Sequence, residues 1–247
     1  MKKSFFTIIF LTVVTVTAFS QSEYQPIDFT FQLKSMHLDR GFPVTSTPIT
    51  GINLWYQSEN KKFKAGVWGG TGSTGEYREL DHYMAYSCHG FKVELWDIYN
   101  FSTGATYNNK EFFNYKASET GHFVDFRLGY KFAENFPLSV LWSTFIYGRD
   151  RGKLNQRNIY STYTQLGYTL LKKEPITVDV FVAGVFALHP EKGSAASIYI
   201  SKSDLVNLSL CVTKTLKAAG FDISVSAMPA WNPGLNRGNI QLALSVF

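Results

Sequence analysis

The side chains with the most reactive chemistry fall into three local groups: Ser35, His37 and Asp39; Asp81 and His82; His122 and Asp125. A hydrolase needs a nucleophile, a base within hydrogen-bond reach and a group that orients the base. On a strand, neighbouring residues face opposite ways and so do residues three apart, so Asp81–His82 and His122–Asp125 make no ready dyad. Ser35 and His37 share a phase, but it is the apolar one, near a strand end. No catalytic residue is assigned, and the enzymatic alternative is a lipid-active hydrolase at an outer rim, assembled from distant residues. The five histidines His37, His82, His89, His122 and His189 adopt no metal-ligand spacing. Gly69, Gly70, Gly72 and Gly75 close a strand and open a loop, where turn geometry calls for glycine, and cradle no phosphate. Neither a metal nor a cofactor is expected.

The remaining charges share a pattern set by the elements that carry them. From Ile27 onward apolar and polar residues alternate, the signature of strands with unlike faces. Val124, Phe126, Leu128, Tyr130 and Phe132, for example, interleave with Phe123, Asp125, Arg127, Gly129 and Lys131. Strands are expected at 25–36, 48–58, 62–71, 79–88, 91–101, 121–132, 137–147, 159–171, 176–187, 204–216, 221–231 and 238–247. Their length, about ten residues, is what a tilted strand needs to cross a hydrocarbon core. Every second connection is short (59–61, 89–90, 133–136, 172–175, 217–220) and the others are long, as in outer-membrane barrels. The fold class is therefore all-β: a transmembrane antiparallel up-and-down barrel of about twelve strands.

A soluble sandwich also alternates, but its solvated face would carry many charges, whereas only 17% of this chain is charged against 16% aromatic. Aromatic residues of the apolar phase, among them Phe29, Tyr56, Tyr86, Phe91, Tyr99, Trp142 and Tyr168, gather near strand ends as a girdle would. Trp68 and Trp96 are on the opposite phase and point inward. If the apolar phase faces lipid, the lumen is lined by Lys34, Arg40, Glu79, Asp81, Lys92, Glu94, Asp125, Arg127, Lys131, Asp179 and Asp222. Charges of both signs in a narrow interior pair, because an unpaired one held from water is costly. About twelve strands lie between filled barrels of about eight and open porins of about sixteen, so a side-chain network and a polar pathway are both open readings.

Residues 1–20 read as a cleaved secretory signal. Lys2 and Lys3 precede the apolar run from Phe5 to Val16, too short for a spanning helix, and Ala18-Phe19-Ser20 suits a peptidase cutting before Gln21. Residues 21–247 are then one barrel domain. The net charge is +5, or +3 without Lys2 and Lys3, too small an excess for nucleic acid. Cys88 and Cys211 are expected to be unpaired thiols on opposite sheet faces. Arg149, Asp150, Arg151, Lys153 and Arg157 read as a basic outer loop, chiefly a solvated one, for which lipopolysaccharide phosphates would be a natural partner.

The stretch LKSMHLDRGFPVTSTP, with Ser35, Arg40, Gly41 and Pro48, then AGVWGG at 65–70 and ELDHY at 79–83, resembles the opening of porin-like proteins of the TorF type. The segments TGHFVDFRLGY and PLSVLWSTFIYGRD resemble Bacteroidetes relatives of that group. The resemblance implies an outer-membrane barrel and no particular substrate. Passive passage of small polar solutes, a structural barrel with a filled lumen, and a surface-binding scaffold are its functional alternatives. Expected partners are outer-membrane lipids, lipopolysaccharide, the outer-membrane insertion machinery and small solutes. Whether the longest loop, 102–120, folds inward is left open.

Overall fold

The structure, a computed structural model, describes residues 24–191, 197–200, 202, 204–218 and 220–246. The signal segment 1–20 lies outside them. Fourteen strands are formed: β1 (Ile27–Lys34), β2 (His37–Asp39), β3 (Phe42–Thr45), β4 (Ile49–Gln57), β5 (Phe63–Gly72), β6 (Arg78–Cys88) and β7 (Phe91–Asn100), then β8 (His122–Lys131), β9 (Leu138–Gly148), β10 (Ser161–Lys173), β11 (Ile176–Ala187), β12 (Asp204–Ala218), β13 (Phe221–Asn232) and β14 (Arg237–Val246). Twelve of them close into one antiparallel barrel, in which β1 pairs with β4 on one side and β14 on the other.

The period-two pattern sets the register. Leu54, Met84, Leu166, Val182, Leu208 and Leu242 all stand exposed on the outer wall. In water so much exposed apolar surface would be a liability; against acyl chains it is the favourable arrangement of a transmembrane barrel. A bulge between Thr169 and Leu171 interrupts the alternation, and Leu170 and Leu171 are both exposed there. The short turns use the chemistry two-residue hairpins demand: His89 and Gly90 both have positive φ, 48° and 84°. Cys88 and Cys211 are free thiols.

The two remaining strands, β2 and β3, pair only with each other. Their turn is also a two-residue one, Arg40 (φ 53°) and Gly41 (φ 83°). This hairpin folds into the barrel. A Cβ at Gly41 would meet the Val206 carbonyl oxygen at 2.1 Å, so no larger residue fits that approach. Met36 and Leu38 pack on Ala230 and Met228, while Phe42 joins Tyr163, Ala183, Val185 and Val206. The Leu38 N–H donates to Gln241 Oε1 at 2.9 Å, and Asn232 Nδ2 donates to the Gly41 carbonyl at 3.0 Å. The inward element is thus the β1–β4 connection.

Loop 102–120 divides: residues 102–107 line the long-loop end of the lumen, while the stretch around Phe112 and Tyr115 lies against the outer wall. Asp97, Tyr99 and His122 point away from the lumen, and the loop covers them: His122 Nδ1 is 2.7 Å from Asp97 Oδ1 and its Nε2 is 2.6 Å from the Phe112 carbonyl. Tyr115 donates to Asp97 at 2.5 Å, and Tyr147 donates to the Tyr115 carbonyl at 2.7 Å. Tyr99, expected at the lipid boundary, is consequently buried, stacked on His122 at 4.4 Å. Phe113 on the same loop is instead 88% exposed.

Candidate lumen and its central belt

Asp125 is the hub of the interior. It lies on the inward phase of β8, fully buried, and a bare carboxylate there would be prohibitively costly. Three groups satisfy it. Ser143 Oγ on β9 donates to Oδ1 at 2.6 Å, Arg127 Nε donates to Oδ2 at 2.6 Å, and the Arg40 guanidinium descends from the hairpin turn to the same oxygen. Arg40 also donates to the Tyr199 hydroxyl, and its Cζ lies 5.2 Å from the Phe145 ring centroid and 5.6 Å from that of Tyr163. Burial pushes the Tyr199 hydroxyl well above the ordinary tyrosine range, so it stays protonated.

The belt continues around the wall. Arg127 Cζ lies 4.4 Å above Trp96, and the other face of Trp96 stacks on Tyr83 with centroids 4.3 Å apart and planes 15° apart. Tyr83 donates to Asn53 at 3.1 Å. Side chains of β4, β6, β7, β8 and β9 are thereby tied to the hairpin in one layer.

Cavities lie on either side of this belt. The one at the long-loop end, about 650 Å³, is lined by Lys34, Glu79, Asp81 and Arg127, together with Trp68 and Trp96. One at the short-turn end, about 820 Å³, is lined by Lys92, Glu94 and Lys131, and Lys92 Nζ lies 2.8 Å from Glu94. A third, about 620 Å³, is lined by Lys131 and Asp179, and Asp179 accepts from Thr169 at 2.6 Å. Arg40 and Asp125 belong to the belt, and Asp222 stands opposite Lys217 at the exposed end of β13. The inner-phase residues are therefore distributed over two mouths and a central layer.

Several expectations require correction. Ser35 and His37 do not share the apolar outer phase. The Ser35 hydroxyl accepts from the Leu242 N–H at 2.9 Å, while the chain turns inward after it, so that His37 stacks on Trp68 with centroids 5.5 Å apart. Burial, reinforced by the charge of Lys34, lowers His37 to about 4, leaving it neutral at neutral pH. Arg149 is not part of a solvated basic loop. It turns into the long-loop cavity, its Cζ 3.5 Å from the Tyr107 ring centroid and 3.8 Å from that of Phe123. The His122–Asp125 expectation needs no such change, since the two face opposite sides of the wall; the carboxylate beside His122 is Asp97, a pairing across strands that chain spacing does not reveal. Among the described residues no group of three or more His, Cys, Asp or Glu side chains could hold a metal ion.

No family model matches the sequence, and no curated protein matches it. Among solved structures it is similar to an outer-membrane channel from Pseudomonas putida F1, with a TM-score of 0.51 and 9% identity over 93% of this chain and 97% of that one. The outer-membrane protein opdK from Pseudomonas aeruginosa aligns over 92% of this chain and 67% of that one with 10% identity and a TM-score of 0.37. The first of these likenesses supports the fold: this chain folds as an outer-membrane type of β-barrel.

Proposed function

We propose that the chain is a porin-like outer-membrane barrel that passes small polar solutes through a lumen whose width is set by the β2–β3 hairpin. The observation that carries this reading is the pair of charge-lined cavities on either side of one side-chain belt, inside a closed wall with an apolar exterior. In this reading residues 1–20 are the export signal, the short turns face the periplasm, and the motifs of the first third place the chain with the TorF type. Lipopolysaccharide and acyl chains are its surroundings. A catalytic role has no support in the histidines: both ring nitrogens of His122 are taken up by Asp97 and a carbonyl, and Ser35 is bonded to β14.

The belt itself favours a second reading, a structural barrel whose interior is occupied. Planar-bilayer recordings separate the two. The porin reading expects small steps from the wild type and larger ones when 36–46 are replaced by a short Gly-Ser linker. A silent wild type whose linker variant conducts supports the structural reading, and silence of both, with correct insertion, overturns passage altogether.

A further inference from the structure

The long-loop cavity holds an arginine and two acids that make no ion pair within 4.0 Å among the described residues. Arg149, just beyond β9, makes no ion pair within 4.0 Å among the described residues, and its Nε is buried without a hydrogen-bond partner. Tyr107 and Phe123 cover the two faces of its guanidinium. Only the edge of the plane is left, the edge that presents parallel N–H groups and matches a carboxylate. Burial pulls Arg149 down to about 10, so it remains a cation at neutral pH.

The opposite sign is held close by. Tyr107 donates to Asn100 Oδ1 at 2.9 Å, and Asn100 Nδ2 donates to Glu79 Oε2 at 2.8 Å, so a single chain of contacts runs from the arginine clamp to an acid. Asp81 is the next inward residue on β6. It is only 5% exposed, its Oδ1 has no hydrogen-bond partner, and neither it nor Glu79 has a cation within 4.0 Å among the described residues. Two neighbouring carboxylates and an unpaired guanidinium thus line the same cavity without meeting. Uncompensated charge held away from water is costly, and a partner that supplies both missing signs removes the cost at both ends.

We infer that this cavity is a binding site for a small zwitterion of the amino-acid type, with Arg149 taking its carboxylate and Glu79 with Asp81 taking its ammonium group. At about 650 Å³ it falls in the size range of small-molecule sites, about 300–1,000 Å³. The inference rests on the lumen being the functional site and names the solute class that site selects.

Binding is tested on the full chain in detergent micelles, by titration calorimetry and by the fluorescence of Trp68 and Trp96, which line the cavity. The probes are L-alanine, propionate, which lacks the ammonium, and L-alaninamide, which lacks the carboxylate. L-Alanine is expected to bind saturably and at least about tenfold more tightly than either analogue, the worth of one charged hydrogen-bonded contact. Arg149→Gln should bring L-alanine down to the level of L-alaninamide, and Asp81→Asn to that of propionate. Glu59→Gln, in an exposed short turn, should leave it unchanged. Arg149→Lys, which keeps the charge without the fork, covers the case in which the glutamine variant does not fold. Equal binding of all three probes, no saturable binding, or undiminished binding by Arg149→Gln and Arg149→Lys would overturn the inference. Conductance without binding sinks this inference alone, and binding without conductance sinks passage alone.

Discussion

Arg40 and His37 are three residues apart on one hairpin, yet they hold it by opposite means. Arg40 delivers a charge to a buried acid, and removing one partner of such a pair costs about 3–5 kcal/mol because the other is left behind. Arg40→Met is therefore expected to lower the temperature at which the barrel loses its compact gel mobility, and Asp125→Asn in the same chain should recover part of the loss. His37 is held instead by staying neutral between Trp68 and Tyr77, with Lys34 and Asp39 as the charges near it. Its folded value of about 4 lies below the ordinary 6.5, so the unseated state binds more protons between those values. Stability of the seated hairpin accordingly falls as pH drops through that window and is fully present above it. Bilayer conductance should rise on acidification from pH 6.5 to 4, and His37→Phe, which keeps the stacking, should flatten that response.

Residues 36–46 fold into the barrel while the second half of loop 102–120 lies outside it, and each is fastened by a polar group that chain spacing could not expose. The β2–β3 strands are too short for alternation to register, so their one mark in the sequence is the Arg40-Gly41 turn pair. The second half of loop 102–120 is fastened outside by His122, whose two ring nitrogens lie against Asp97 Oδ1 and the Phe112 carbonyl. Removing that ring leaves Asp97 and the Phe112 carbonyl short of a donor, worth about 1–3 kcal/mol. His122→Ala should let trypsin cut at Lys110 and Lys116 roughly tenfold faster, read as fragments on a gel. Arg149 belongs with these: a loop and the neighbouring strand β8 supply its two rings, contacts that chain spacing does not show and that left it looking like one more surface cation beside Arg151 and Lys153.

For the whole molecule, the wall was far more legible than its contents. The expected strands at 91–101 and 176–187 are formed at Phe91–Asn100 and Ile176–Ala187, because a face against acyl chains and a face against a polar interior force strict alternation over every span. The wall also carries its own test. Leu166 sits exposed midway along β10, and Leu166→Arg should cost about 2–4 kcal/mol in folding titrations into phospholipid vesicles. Among the described residues the seam between β1 and β14 runs from Phe31–Val246 to Lys34–Ala243. The hairpin begins directly beyond that seam, and two of its main-chain groups are held by Asn232 and Gln241, on the last two strands of the chain, while Arg40 reaches Asp125 on β8. Zipping the ring shut and corking it are consequently coupled: a nascent barrel still missing its final two strands offers the cork its acid but not the groups that grip its main chain.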